Sequence, residues 1–182
     1  SGGNMSEIIT PAVFTQLTPE ECEKDLQLAN SLCEEVKLSE DPITEGFKAI
    51  NTKIAKIQAC RETITALILK AVKNKQSAQA NAIHAKNDYS VQYNTLMTTS
   101  EEVTRQKSKE LREAAAANLA LEHYKAVQLA EDALAAATIH LQYLSTLAKD
   151  LENKQLLLLK QIDVIKMTMV VHPDLRETWI NN

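Results

Sequence analysis

The sequence contains few of the residues that break helices. Its 182 residues include three glycines and four prolines, and the roughly 126 residues from 47 to 172 contain neither. Aromatic residues make up 4% of the chain, whereas β-strands are rich in aromatic and β-branched side chains. The sequence instead contains 23 alanines and 22 leucines, which are good helix formers. It therefore predicts an all-α protein and excludes an all-β or a doubly wound α/β fold.

The sequence also lacks the residue patterns of common enzyme sites. With glycines only at positions 2, 3 and 46, neither a phosphate-binding loop nor a strained nucleophile turn can form. None of the four histidines has a glutamate three residues before it, which excludes the di-iron centre of helical bundles. His84 and Asp88 lie one helical turn apart, but two ligands do not complete a metal site. We therefore predict a protein that is not an enzyme and has no cofactor or metal.

The net charge and the cysteine content limit which classes of partner and which cellular compartment are expected. A net charge of -4 disfavours nucleic acid as a partner, because phosphate backbones attract clustered lysine and arginine. Cys22, Cys33 and Cys60 are odd in number and include no Cys-x-x-Cys pair, which predicts a reducing compartment, cytoplasmic or otherwise intracellular. The most hydrophobic region, residues 156–171, contains three charged residues and is not expected to span a bilayer.

The pattern divides the chain into an arm, one long helical domain and a short end. Residues 1–4 precede Met5 and are interpreted as an expression-tag remnant. Residues 5–17 are interpreted as an ordered arm or docking peptide, with a frayed terminus as the alternative. A single elongated domain is expected over residues 18–172, with helices at about 19–38, 42–98 and 100–171, and a short turn over 173–182.

Capping residues predict where each helix begins. Thr18 and Glu21 have the spacing of a capping box, in which each side chain bonds the other residue's backbone N–H. Asp41 is a suitable N-cap directly before a proline. Thr99 and Glu102 repeat the capping-box spacing, so we expect the third helix to begin there.

Apolar residues at alternating four- and three-residue spacings run along the second and third helices. This pattern predicts an elongated, coiled-coil-like antiparallel hairpin that reverses near Thr99, with a kink at residues 73–77. In this register the alanines Ala78 and Ala82 face Ala120 and Ala116, and an isoleucine stripe of the second helix faces a leucine stripe of the third. That isoleucine stripe is Ile50, Ile54, Ile57 and Ile64, and the residues opposite are Ala148, Leu144, Leu141 and Leu134.

The short first helix is expected to pack at the base of the hairpin. Residues 18–42 hold eight acids and two bases, whereas residues 43–98 hold eight bases and three acids. These opposite charges favour a three-helix base in which the first helix lies beside the second.

The same register leaves residues 156–171 without an internal partner, because it places Ile43 opposite Gln155. An exposed apolar surface of this extent predicts a contact, either with the arm residues Ile8, Ile9, Val13 and Phe14 or with a second chain, and we favour a second chain. The predicted partner interface is Leu158, Ile162, Ile165 and Met169. Charge substitutions at Ile162 and Ile165 are expected to change the mass in solution without abolishing helicity.

These features favour a non-enzymatic structural or interaction subunit, a coiled-coil scaffold or tether that forms a homo-oligomer or binds a partner protein. The alternative is a membrane-binding helical module of the crescent-shaped or pore-forming type, in which the basic second helix meets anionic lipid. A membrane is the less favoured partner, since the basic residues are scattered around that helix and the whole chain is acidic.

Overall fold

The computed structural model describes residues 14–182, and over this range the chain forms six helices and no strand. The long helices α2 and α5 pack against each other, which confirms the predicted all-α helical hairpin. The expectations for Ile8, Ile9 and Val13 lie outside the described residues. In chain order the helices are α1 (Pro19–Glu35), α2 (Pro42–Thr99), α3 (Glu101–Thr104), α4 (Lys109–Leu119), α5 (Leu121–Val171) and α6 (Leu175–Asn181).

The starts of α1 and α2 follow the predicted capping chemistry. Thr18 Oγ1 accepts a hydrogen bond from the Glu21 backbone N–H at 3.1 Å, and Glu21 Oε2 accepts one from the Thr18 N–H at 2.9 Å. At α2, Asp41 accepts from the Thr44 hydroxyl at 2.6 Å and from the Thr44 N–H at 3.3 Å. These bonds stabilise the carboxylate, so the pKa of Asp41 lies below its usual value.

The predicted continuous helix over residues 100–171 is wrong, because the structure divides it into α3, α4 and α5. Thr99 does not cap α3; its hydroxyl donates to a carbonyl one turn earlier at 2.7 Å, and the N-cap Ser100 makes no side-chain capping bond. The side-chain cap forms at α4 instead, where Ser108 Oγ accepts from the Leu111 N–H at 3.2 Å. The chain therefore reverses between α3 and α4 rather than at Thr99.

This later reversal changes the register of the hairpin. Arg61 hydrogen-bonds to Gln155, and Lys86 pairs with Glu131 at 2.9 Å. Gln155 therefore lies beside Arg61 and not beside Ile43, so the predicted register is wrong by roughly five helical turns. The physical reason is that α3 and the residues before Ser108 lengthen the turn.

The irregular point in α2 is Gly46, whereas the kink predicted at residues 73–77 is wrong, since the backbone there stays helical. Gly46 has φ 90° and ψ 174°, a conformation that strains any residue with a Cβ. A Cβ at this position would also lie 2.5 Å from Asn182. The C-terminal residues, predicted as a turn, form α6, whose Trp179 packs edge-on against Phe47 with ring centroids 5.3 Å apart.

The described residues group into two compact units. Unit 1 contains residues 14–17 and 72–139, and unit 2 contains residues 18–71 and 140–182.

Unit 2 has a core built from three helices, which confirms the predicted three-helix base. Isoleucines of α2 and leucines of α5 meet there, and α1 contributes smaller side chains. Ile54, predicted in the same stripe, is 40% exposed and lies outside this core. The buried residues are Ala29 and Cys33 from α1 and Val36 directly after it, Ile50, Ile57, Cys60, Ile64, Leu67 and Ala71 from α2, and Leu144, Leu151 and Leu158 from α5.

Ion pairs join the acidic α1 to the basic α2, as the charge pattern predicted. Lys70 Nζ lies 2.8 Å from Asp25 Oδ2, and Lys56 Nζ lies 3.5 Å from Glu35 Oε2. Three of these four side chains are about half exposed, so such pairs contribute roughly 0 to 1 kcal/mol each. Burial of the apolar core therefore supplies most of the stability of unit 2.

The connection between α1 and α2 is held by the buried side chain of Ser39. Its hydroxyl donates to Glu45 Oε2 at 2.6 Å and accepts from Lys53 Nζ at 2.8 Å. Gln161 of α5 donates to the Ser39 carbonyl at 2.7 Å. The bond from Ser39, followed by that from Lys53, lowers the pKa of Glu45.

In unit 1 small residues of α4 and its C-terminus meet large ones of α2. Ala116 and the adjoining Ala120 are buried with Leu96 and Val103, and Tyr89, Tyr93 and Met97 pack against this cluster. The predicted pairing of Ala78 and Ala82 with these alanines is therefore wrong, because the register is shifted.

We predict that Leu151→Ala lowers the free energy of unfolding by about 2 to 5 kcal/mol, since Leu151 is fully buried in the core of unit 2. The matched control is Leu156→Ala on the same helix, where the side chain is half exposed and the expected loss is much smaller. Urea unfolding followed by circular dichroism measures both. Equal losses for the two variants would contradict the assignment of Leu151 to the core.

Candidate interaction surface

The four residues predicted to form a partner interface lie on the inner side of α5. Leu158, Ile165 and Met169 are buried, and Ile162 is partly buried against the core of unit 2. The premise that this segment overhangs α2 is wrong, because Gln155 lies beside Arg61. Charge substitution at Ile162 or Ile165 is therefore expected to disturb the core.

The opposite side of the same segment of α5 carries the exposed apolar surface. We call it the outer face; its side chains are between 46% and 78% exposed. At 100° per residue, most of these positions lie on the side of the helix opposite Leu158 and Ile165. The outer face consists of Leu156, Leu157, Leu159, Val164, Met167, Val170 and Val171.

Two charged residues interrupt the outer face. Lys160 and Asp163 are exposed, carry opposite charge and stand three residues apart. In the described part of the chain neither has an ion-pair partner within 4 Å. A shallow groove adjoins this position and is lined by Leu38, Pro42, Leu157, Lys160, Gln161 and Val164. The surface thus combines apolar area with unpaired charge.

Sequence reasoning found this segment but chose the wrong side of it. Leu144, Leu151, Leu158 and Ile165 recur every seven residues and are buried, while Leu157, Val164 and Val171 recur every seven residues and are exposed. A seven-residue spacing alone cannot say which of two apolar stripes faces the core. The buried side could have been identified by continuing the seven-residue spacing from Leu144, which leads to Leu158 and Ile165.

A second candidate surface lies in unit 1, where α2 holds the extended residues 14–17. The buried Asn81 makes two bonds to the backbone of Phe14: its Oδ1 accepts from the N–H at 3.0 Å and its Nδ2 donates to the C=O at 2.9 Å. The buried Asn74 accepts from the Leu17 N–H at 2.8 Å. This end of the predicted arm is therefore docked, and neither asparagine was singled out from the sequence.

The spacing of these bonds has a simple geometric origin. Seven residues of helix from Asn74 to Asn81 rise about 10.5 Å, and three residues of extended chain from Phe14 to Leu17 span roughly 10 Å. Asparagines one heptad apart on α2 therefore match an extended segment running antiparallel to the helix.

A buried histidine in unit 2 lies close to an ion pair. His140 is 7% exposed, and its Nε2 has no hydrogen-bond partner. Burial lowers its pKa; the Asp25 carboxylate opposes this shift, and the Lys70 ammonium adds to it. The hydrogen bond with Asp25 raises the pKa of Lys70. Burial therefore favours the neutral form of His140 over the charged form.

The three cysteines are free thiols, and Cys33 and Cys60 are buried as small core side chains. The Cys33 thiol donates to the Leu147 carbonyl at 3.6 Å and the Cys60 thiol to the Leu32 carbonyl at 3.8 Å. Burial raises the pKa of Cys22, Cys33 and Cys60, which disfavours the reactive thiolate at each.

His84 and Asp88, one helical turn apart in the sequence, lie close together on α2. His84 Nε2 lies 3.4 Å from Asp88 Oδ2 in an i,i+4 pair. Among residues 14–182 there is no group of three or more histidine, cysteine, aspartate or glutamate side chains that could hold a metal ion. Within the same residues no helix is both long and apolar enough to cross a bilayer.

Comparison with protein families, curated proteins and solved structures finds no match to this chain.

We predict that Asn81→Ala releases the docked end of the arm, because it leaves the Phe14 N–H and C=O without partners. Hydrogen exchange at the Phe14 amide should be faster by about tenfold or more. The control is Asn51→Ala, an exposed asparagine on the same helix, which should leave this amide unchanged. Unchanged exchange in the Asn81 variant would show that the bonds do not hold the arm.

We predict that the free energy of unfolding decreases as the pH is lowered, because His140 is protonated more readily in the unfolded state. Its folded-state pKa lies below the unfolded value of about 6.5, so the unfolded state binds the proton more tightly. The stabilisation is complete above that value and is lost as the pH falls below it. His140→Gln should flatten the change in urea midpoint between about pH 7.5 and pH 5.5. The exposed His172→Gln should not flatten it; identical profiles for all three proteins would refute the assignment.

Proposed function

We propose that this protein is a non-enzymatic structural or interaction subunit, a helical scaffold that binds a partner protein or a second copy of itself. The observation that carries the proposal is the outer face of α5, where seven large apolar side chains are exposed between residues 156 and 171. An apolar patch of this extent on a protein surface marks a contact site.

The rigid backing of the outer face supports the proposal. Leu151, Leu158 and Ile165 anchor the inner side of the same helix, so the exposed side chains stand on an element fixed by packing. A preformed surface loses little conformational freedom on binding, which favours affinity. The raised pKa of the three cysteines and the lowered pKa of His140 also suit structural rather than reactive roles.

The proposal extends to the compartment. Three free cysteines without a disulfide fit a reducing, intracellular environment, in which buried thiols remain thiols. Coiled-coil packing fits the seven-residue spacing of the buried isoleucines and leucines of unit 2.

A membrane-binding module is the second candidate, and the same outer face is the observation that favours it. Its seven apolar side chains could enter the headgroup boundary of a bilayer. The lysines that flank them are few: the segment holds Lys160 and Lys166 against Asp163. This balance gives weak attraction to anionic lipid, so a protein partner is favoured.

We predict that the protein stays in the supernatant when it is sedimented with anionic vesicles at both low and high salt, because its net charge is -4. Neutral vesicles are the control for purely apolar binding. Pelleting at low salt that is released at high salt would instead establish the membrane-binding module.

The protein contact is tested directly with a photoreactive benzoylphenylalanine placed at Met167, on the outer face. Protein adducts are expected from this position. The same group at Lys125, an exposed position of α5 outside the outer face, should give none.

A further inference from the structure

We propose that the outer face of α5 pairs with the outer face of a second copy of this chain, in antiparallel orientation, with reciprocal ion pairs between Lys160 and Asp163. The inference rests on the proposed function and names the partner for it. Two charges of opposite sign lie within an otherwise apolar stripe of the outer face.

The stripe has the geometry of a helix-pairing seam. Spacings of four, three, four and three residues separate Leu156, Lys160, Asp163, Met167 and Val170. All five are exposed. Positions alternating by three and four residues lie on one narrow face of a helix, which is the pattern that a second helix covers.

The two charged residues of the seam select the occupant. Lys160 and Asp163 have no ion-pair partner within 4 Å in the described chain, although a lysine and an aspartate three residues apart could pair along one helix. An apolar stripe that carries one charge of each sign is complementary to itself. A two-fold axis that brings Lys160 to Asp163 of the second copy brings Asp163 to Lys160 of that copy as well.

The same register matches the apolar residues. In an antiparallel pair that places Lys160 opposite Asp163 of the second copy, Leu156 falls opposite Met167 of that copy, and Met167 falls opposite its Leu156. The ion pairs then lie at the centre of the contact with large apolar side chains on both sides. Shielded from water in this way, charge pairs fix register and orientation more strongly than exposed pairs do.

The alternatives satisfy the charges less well. A lipid bilayer would leave Asp163 without a cationic partner and close to anionic headgroups. An unrelated protein would need a separate surface that supplies an acid and a base at the same spacing. The second copy supplies both by symmetry.

The experiment measures mass in solution by light scattering and sedimentation over a dilution series. The full chain should approach twice its mass of 20.2 kDa at the highest concentrations. Lys160→Glu alone and Asp163→Lys alone should each raise the dimer dissociation constant about tenfold or more, because each places like charges opposite each other twice. The double variant Lys160→Glu with Asp163→Lys should return the constant to near the original value.

The matched control is Lys125→Glu, which makes the same charge change at an exposed position of the same helix, far along the chain from the seam. It should leave the dissociation constant unchanged, and circular dichroism should show equal helicity for all variants. A monomeric wild-type chain at every concentration overturns the inference, as does a dimer that responds equally to Lys160→Glu and Lys125→Glu.

Failure of this inference and failure of the proposed function are distinguishable. If the chain is monomeric in buffer but forms adducts with another protein at Met167, the self-pairing is refuted and the proposed scaffold function stands. If the chain binds anionic vesicles and is released by salt, the proposed scaffold function is refuted, whatever the mass of the chain in buffer.

Discussion

Packing of the isoleucines of α2 on the leucines of α5 is the interaction on which the rest of unit 2 depends. Ile57, Ile64, Leu144, Leu151 and Leu158 are the large side chains fully removed from water there, and each contributes roughly 1.5 to 3 kcal/mol by burial. The placement of α1, the anchoring of the α1–α2 connection and the direction of the outer face all follow from it. Turning α5 by half a turn would bury the outer face and expose the core leucines.

Much of this architecture could be predicted because it depends on local chemistry. A long stretch without glycine or proline leaves the helix as the available structure for an alanine- and leucine-rich chain. Thr18, Glu21 and Asp41 act within a few residues of themselves, so their capping bonds form as their spacing predicts. The pairing of the acidic α1 with the basic α2 could likewise be predicted, because net charge does not depend on register.

Register was the part that sequence could not supply. It depends on where the chain turns, and capping patterns at Thr99 and Ser108 compete for that role. Ser108 makes its capping bond, whereas Thr99 bonds back to its own helix. Because residues in a hairpin are paired by their distance from the turn, this displacement moved every predicted contact by several turns. The side of α5 assigned to a partner was wrong for the same reason.

The docked residues 14–17 show a different limit of sequence reasoning. Asn74 and Asn81 look like ordinary polar positions until the extended segment is placed against them. The asparagines bond to main-chain atoms, which every amino acid provides. No side-chain pattern in the arm therefore predicts the contact.

This mode of attachment has an evolutionary consequence. Because the two asparagines bond to peptide groups, the side chains at positions 14 and 17 are free to drift without loss of the attachment. Proline is the exception, since it lacks the N–H that each of these positions donates. In divergent copies of this gene we therefore expect the pair of asparagines to be retained while the arm itself varies.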